Sequence, residues 1–455
     1  MTLTITAATL LLVLALTGLG WRWPLTGLGL FIFSLPFERI GAYPLNAATG
    51  YPLLHPAQIT GAALIGALAL RWLAGRVRLR PIKALPWLLV FLATSLASAL
   101  LVHVQEVWEI WIWLIFITAL FYTVAQFATR QNLAWIRRWL AISTIVVSLF
   151  GLYQFLGDLF GLPYGATGIR DRYSKVVLGF PRLQSTALEP LYFANFLFLP
   201  LFVFLALLIK KRGGDRLSQM ALATASVAFI LTFSRGAYVS GVVGVAVLGL
   251  ALGGREVWAW LKANYKLVAI GLGVLVVGSG LLLSFSVART KAGQNGLVTI
   301  ENFFGINVLK TGSFTERLSD EKLAIKIFKE HPVFGVGIGG FGSAYYGCHI
   351  GKCVYRPNNQ ALEVLAEGGV VGFTVFYGFL AALVVYGWLA LKRTSGDQRT
   401  VIAGLLAAVV AMVVQAQTFS GFLCCLTYTW GTLALLAGLS NDGVHKTAKG
   451  GRARS

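Results

Sequence analysis

Apolar runs of roughly 17 to 25 residues, the length that crosses a hydrocarbon core, follow one another along almost the whole chain, broken by short stretches rich in charge, Pro or Gly. This pattern predicts spans near 2–20, 24–37, 58–74, 84–102, 108–127, 138–157, 190–209, 217–233, 237–253, 266–288, 361–391, 400–420 and 424–440. The run at 24–37 is short and ends at Pro36, so it is either a span or a re-entrant segment. The expected fold class is all-α, a polytopic transmembrane helical bundle of about 12–13 spans. The organisation that follows is ten helices over 1–288, including an outer loop at 158–189, then a large extramembrane loop with short helices at 289–360. Three further helices over 361–440 and a basic tail at 441–455, expected to be disordered, complete it.

Composition sharpens this picture. With 57% hydrophobic and 12% charged residues and a mean hydropathy of +0.75, the chain is too apolar for a soluble domain, and the lipid bilayer is its first partner. A net charge of +21 and a pI near 10.1 raise the question of nucleic acid, but that reading needs cations gathered on one soluble face. Here they punctuate the gaps between apolar runs, so no nucleic acid is expected. The N-terminus shows neither a basic n-region nor a small-residue cleavage site, so the first run is expected to be retained as a helix.

The same cations orient the chain. If the tail with Lys446, Lys449, Arg452 and Arg454 is cytoplasmic, alternation places the loops Arg71–Lys83, Arg130–Arg138, Lys210–Arg216, Arg255–Lys266 and Lys392–Arg399 on that side. With Arg22, it then holds 23 of the 38 basic residues but 4 of the 17 acidic ones. The other face receives the two long connections. The first carries Asp158, Arg170, Asp171, Arg172, Lys175, Arg182 and Glu189, and the second, at 289–360, has 9 basic and 5 acidic residues. Within the second, Asp320 to Glu330 has the period of a short amphipathic helix. Leu323, Ala324, Ile327 and Phe328 share one face, Lys322, Lys326 and Lys329 lie away from it, and His331-Pro332 should end it.

Several residues on this outer face carry chemistry. Arg182 precedes the span at 190–209, and Arg235 interrupts two apolar runs at an outer turn. Snorkelling accounts for single arginines at helix ends, whereas two beside an acidic residue suit a diphosphate, whose oxygens planar guanidinium groups bind bidentately. Glu189, next to Pro190, stands where the chain enters the membrane, so it is either a base with a raised pKa or a salt-bridge partner of these arginines. Arg356 leads into Asn358, Asn359, Glu363 and Glu367. The two glutamates are spaced i, i+4 on one helical face, and an asparagine here can equally cap the helix.

Gly335, Gly337 and Gly340 form a G-x-G-x-x-G without the βαβ unit of a dinucleotide site, so tight turns and close backbone approach are expected there instead of a cofactor. Cys348 and Cys353 can form a local disulfide in an extracytoplasmic loop. With His349 they offer three cramped ligands and no fourth, so no metal is expected. Cys424 and Cys425 read as packed thiols.

Taken together, these residues resemble the O-antigen ligase and O-antigen polymerase superfamily of bacterial envelope glycosyltransferases. The resemblance rests on the order of Leu35-Pro-Phe-Glu38, Arg182 with Glu189-Pro190, Ser234-Arg235-Gly236, and Arg317 with the loop helix. It continues through His331-Pro-Val-Phe-Gly-Val-Gly337 and Asn359-Gln-Ala-Leu-Glu363 followed by Glu367-Gly-Gly. It implies a polytopic helical protein with a large periplasmic loop that acts on undecaprenyl-diphosphate-linked saccharides and uses no cofactor, neither metal nor nucleotide sugar. By the same resemblance Arg182 and Arg235 match the arginines that grip the diphosphate, with Arg317 and Arg356 in the same outer set. The ligase pattern His-Asn-x-x-Leu reads Asn358-Asn359-Gln360-Ala361-Leu362 here, so Asn358 stands where the family has a histidine.

Asparagine hydrogen-bonds but cannot take up a proton near neutral pH. The Glu189-Pro190 pair resembles the Glu-Pro pattern of capsule and exopolysaccharide polymerases, so Glu189 is the expected base, with Glu363, Glu367 and His331 in reserve. The expected function is polymerisation of O-antigen or exopolysaccharide repeats at the periplasmic face of the bacterial inner membrane. The partners are the lipid-linked glycan, an acceptor glycan and other polysaccharide-assembly proteins. A lipid A core acceptor would make the chain a ligase, a protein hydroxyl a protein glycosyltransferase. From a different class, a small-anion transporter of the bicarbonate type would also use an arginine pair, but should carry polar residues in mid-membrane.

Overall fold

The computed structural model describes residues 2–39, 43–44, 53–102, 107–169, 180–210, 215–266, 312–342, 356–419 and 426–441. The expected span at 266–288, the segment Arg170–Lys175, all four cysteines and the tail from 442 lie outside the described residues.

Helices dominate. In chain order they are α1 (Thr2–Arg22), α2 (Pro24–Ser34), α3 (Pro56–Leu73), α4 (Leu85–Val102), α5 (Val107–Phe127), α6 (Leu133–Leu159), α7 (Tyr164–Thr167) and α8 (Pro190–Ile209). There follow α9 (Arg216–Leu231), α10 (Arg235–Leu252), α11 (Gly254–Ala263), α12 (Gly312–Glu330), α13 (Gln360–Leu391), α14 (Gly396–Gln415) and α15 (Thr427–Asn441). Two residue pairs, Tyr43–Pro44 and Leu53–Leu54, form a short antiparallel ladder. The chain is an all-α polytopic membrane protein. Among the described helices α6, α8, α10, α13 and α14 with its last 3-10 turn are long and apolar enough to cross a bilayer. α2, by contrast, has 11 residues, about 16 Å at 1.5 Å per residue, and Pro36 lies two residues beyond its end. It is too short to cross as a straight helix.

The centre is formed by α8 and α14, which pack on each other and on α10 and are mostly shielded from surroundings. Hydrophobicity alone does not hold helices together in lipid, so small residues and buried amides decide where backbones meet. A Cβ on Gly404 would strike the α8 main chain at Phe202 and Val203, and Asn195 donates to Gln415 at 2.9 Å across the same interface. Leu11, Leu14, Ile112, Val239, Val242 and Leu250 are exposed on the perimeter, as a lipid-facing surface requires.

Polar contacts sort the bundle into two ends. At one, Arg137 pairs with Asp397 (2.8 Å) and Asp215 (3.4 Å), Arg80 donates to the carbonyls of Ala125 (2.9 Å) and Gln126 (2.7 Å), and Asn441 donates to Pro81 (2.7 Å). Exposed Trp23, Trp72 and Trp258 belong to this end, with Arg22 over Trp23 at 4.9 Å and Arg76 over Trp21 at 4.6 Å. Such pairing of indoles and cations suits a membrane interface. At the other end Thr186 donates to the Pro36 carbonyl (2.6 Å), and the Arg39 amide donates to Thr186 (2.9 Å).

Candidate active site at one mouth of the bundle

The second end collects the residues of interest. The loop before α8 and the turn from α9 to α10 are laced together, because Leu183 N–H donates to Leu231 at 2.9 Å and Arg182 Nε to the Thr232 carbonyl at 3.0 Å. Both segments hold a non-glycine residue at positive φ, Ser185 at 56° and Phe233 at 47°. Such conformations persist only where the surroundings over-determine them. Here Ser185 Oγ donates to Val147 at 2.6 Å, Gln184 to Leu188 at 2.7 Å and Thr232 Oγ1 to Phe229 at 2.7 Å.

That lacing sets three guanidinium groups in one electrostatic field. Burial lowers the Arg182 pKa most, the Glu189 carboxylate and Tyr238 oppose this, and Arg235 and Arg317 reinforce it. Arg182 stays charged under any ordinary condition, so three cations and one carboxylate share the mouth. Glu189 occupies the N-cap of α8 in extended conformation, its side chain half-buried and making no capping bond. Arg317 arrives on α12, which begins at Gly312, two turns before the expected start at Asp320. Leu323, Ala324 and Ile327 are buried against Val336, Phe341 and Ala366, while Lys322, Lys326 and Lys329 are exposed.

Arg356, Glu363 and Glu367 form a neighbouring group. Arg356 pairs with Glu363 at 3.3 Å, and Gln360 donates to the second Glu363 oxygen at 2.5 Å. Glu363 is 1% and Glu367 3% exposed. Asn359, not Asn358, caps α13, accepting from the amides of Ala361 (3.0 Å) and Leu362 (3.2 Å). Asn358 sits half-buried one residue before it.

The glycine-rich segment finds its purpose against this helix. Glu367 accepts from the backbone amides of Phe341 (3.3 Å) and Gly339, so the loop cradles a carboxylate of its own chain. α13 is kinked at Gly369, whose φ of 60° and ψ of −163° only glycine adopts readily. Backbone bonds from Val336 to Ala366 (3.0 Å) and from Val370 to Pro332 (2.9 Å) run across the contact. A Cβ on Gly335 would enter the Glu367 main chain, and one on Gly369 that of Val333.

Glu38 joins the site from a direction the sequence did not signal beyond the Leu35-Pro-Phe-Glu38 run. It is 5% exposed, and its Oε2 accepts the Leu188 amide at 3.4 Å, one residue before Glu189. Burial pushes its pKa up to about 8, the Leu188 N–H pulling it back and the Glu189 carboxylate adding to the rise. Cys348 and Cys353 lie outside the described residues.

Residues 220–377 match the family model described as O-Antigen ligase. That stretch takes in Arg235, Arg317, the glycine-rich segment, Glu363 and Glu367, and leaves Arg182 and Glu189 upstream. No curated protein matches the chain. The matched stretch holds α12 and the first part of α13, including its kink at Gly369, so this part of the chain is similar to the O-antigen ligase family.

Proposed function

We propose that the chain polymerises O-antigen or exopolysaccharide repeats from undecaprenyl-diphosphate-linked oligosaccharide at the periplasmic face of the inner membrane, its C-terminus being cytoplasmic. The observation that carries this reading is the gathering of Arg182, Arg235 and Arg317 beside Glu189. Like charges held together repel unless an anion joins them, and a diphosphate offers oxygens enough for three guanidinium groups.

In this reading the acceptor hydroxyl oxygen attacks the anomeric carbon of the donor sugar as the carbon–oxygen bond to the diphosphate breaks. The electron pair leaves with undecaprenyl diphosphate, whose charge the arginines stabilise, and the hydroxyl proton passes to Glu189. Arg182 is well suited to the task. Its Nε is held by Thr232, and among the described residues its terminal amino groups have no hydrogen-bond partner. Arg356 is committed to Glu363, so it is assigned to shaping the site, with Asn358 as a hydrogen-bonding group at its edge.

The test is conversion of lipid-linked oligosaccharide by purified protein in liposomes, with repeat-unit and lipid A core acceptors supplied separately. Chain extension with the first supports polymerase; transfer only to the second makes the protein a ligase. Uptake of labelled anion without conversion of either would sink the enzyme reading altogether.

A further inference from the structure

The opposite end of the bundle holds a second basic site. Between the turn that starts α4 and the last turns of α13 and α15 lies a cavity of about 80 Å³. Lys83, Arg393, Tyr386 and Ser440 line it together with Leu383 and Leu389, and no carboxylate is among the described residues of its walls. Neither Lys83 nor Arg393 forms a salt bridge with another described residue, although Arg137 at the same end has two acidic partners. The Ser440 hydroxyl is buried and has no hydrogen-bond partner among the described residues. Thr432, two turns earlier in the same helix, bonds back to the Tyr428 carbonyl at 2.8 Å, so the failure of Ser440 to do likewise is a local choice. A buried hydroxyl left this way costs on the order of 1–3 kcal/mol.

Two cations and a hydroxyl around one small space call for an anion. Its source follows from the surroundings. Trp388, 38% exposed, directly precedes the lining residue Leu389 near the end of α13, and an exposed indole at a helix end suits headgroup depth. Leu383 and Leu389 give the cavity an apolar wall on which an acyl chain can begin. Basic pockets between transmembrane helices at this depth suit anionic headgroups.

We propose that this cavity binds the phosphate of an anionic phospholipid from the adjoining leaflet, with Lys83 and Arg393 pairing to its oxygens and Ser440 donating a third bond. The competing account is that both cations merely offset the carbonyl ends of α13 and α15, which would need no lipid.

Native mass spectrometry of the full-length protein, titrated with phosphatidylglycerol, phosphatidylcholine or inorganic phosphate, separates these. Phosphatidylglycerol should bind in preference to phosphatidylcholine, and the double variant Lys83→Ala/Arg393→Ala should weaken it roughly ten- to thirty-fold, at about a factor of five for each cation. Ser440→Ala should weaken it by a smaller factor; being a single deletion of a hydroxyl, it keeps the test alive if the double variant does not fold. Equal phosphatidylglycerol binding by all variants overturns the site. Inorganic phosphate competing as well as the lipid overturns the lipid assignment.

Discussion

Arg182 donates through Nε to the carbonyl oxygen of Thr232 at 3.0 Å, and this bond ties the loop before α8 to the turn from which Arg235 begins α10. The two arginines are therefore placed by one piece of backbone instead of two independent loops. Substituting Arg182 removes both a charge and a brace.

Arg182→Ala should lower glycan transfer by roughly a hundred-fold or more, the usual scale for losing a charge-stabilising donor. Arg182→Lys should recover little, because an ammonium cannot hold Thr232 through Nε and present a fork at the same time. Arg235→Ala and Arg317→Ala should fall in the same direction. Rates of lipid-linked oligosaccharide conversion, at matched protein levels, decide this; near wild-type rates for Arg182→Ala would remove the arginine from the mechanism.

Glu38 makes stability depend on pH. Its carboxyl titrates at about 8 in the folded chain and near 4.5 when unfolded, so between these values the folded state binds the proton more tightly. Stability conferred by the protonated form is complete at low pH and is lost as pH rises through that window. Glu38→Gln should flatten the dependence and melt higher than the parent at pH 8.5. Thermal unfolding in detergent across pH 5 to 9 measures it, and parallel curves for the two proteins would refute the assignment.

Gly369→Ala should destabilise by about 2 kcal/mol or more, because alanine is strained at that backbone geometry and its Cβ meets the Val333 main chain. A drop in melting temperature together with lost transfer is the expected pair of readouts. Unchanged melting would mean that the kink relaxes freely.

Arg137→Ala provides the contrast. Its partners Asp215 and Asp397 are 53% and 42% exposed, so solvent screens the pairs and the loss should be about 1 kcal/mol or less, with transfer rates untouched. A large kinetic effect would couple the two ends of the bundle.

Much of this was legible in one dimension. Apolar run lengths mark the long helices, and the 3.6-residue period of Leu323, Ala324 and Ile327 marks the buried face of α12. Where α12 begins was not, because its first two turns offer only Phe314 and Leu318 as large apolar residues, and Leu318 is 39% exposed instead of joining the buried face. Pro36 foretold the shortness of α2. The burial of Glu38 could not be read, since it depends on Leu188, 150 residues away. The flanks of the glycine-rich run argue against a dinucleotide site, but they do not reveal its partner, Glu367, which lies on the following helix. The arginines at 182 and 235 stood out for their positions, whereas their convergence with Arg317 is a property of the folded loop.

The stitching between residues 332–336 and 366–371 has a further consequence. Main chain meets main chain there, with glycine on each side, so neighbouring side chains can be exchanged without altering the spacing at which Glu363 and Glu367 are offered. What surrounds this joint can change, while the joint itself tolerates no added carbon.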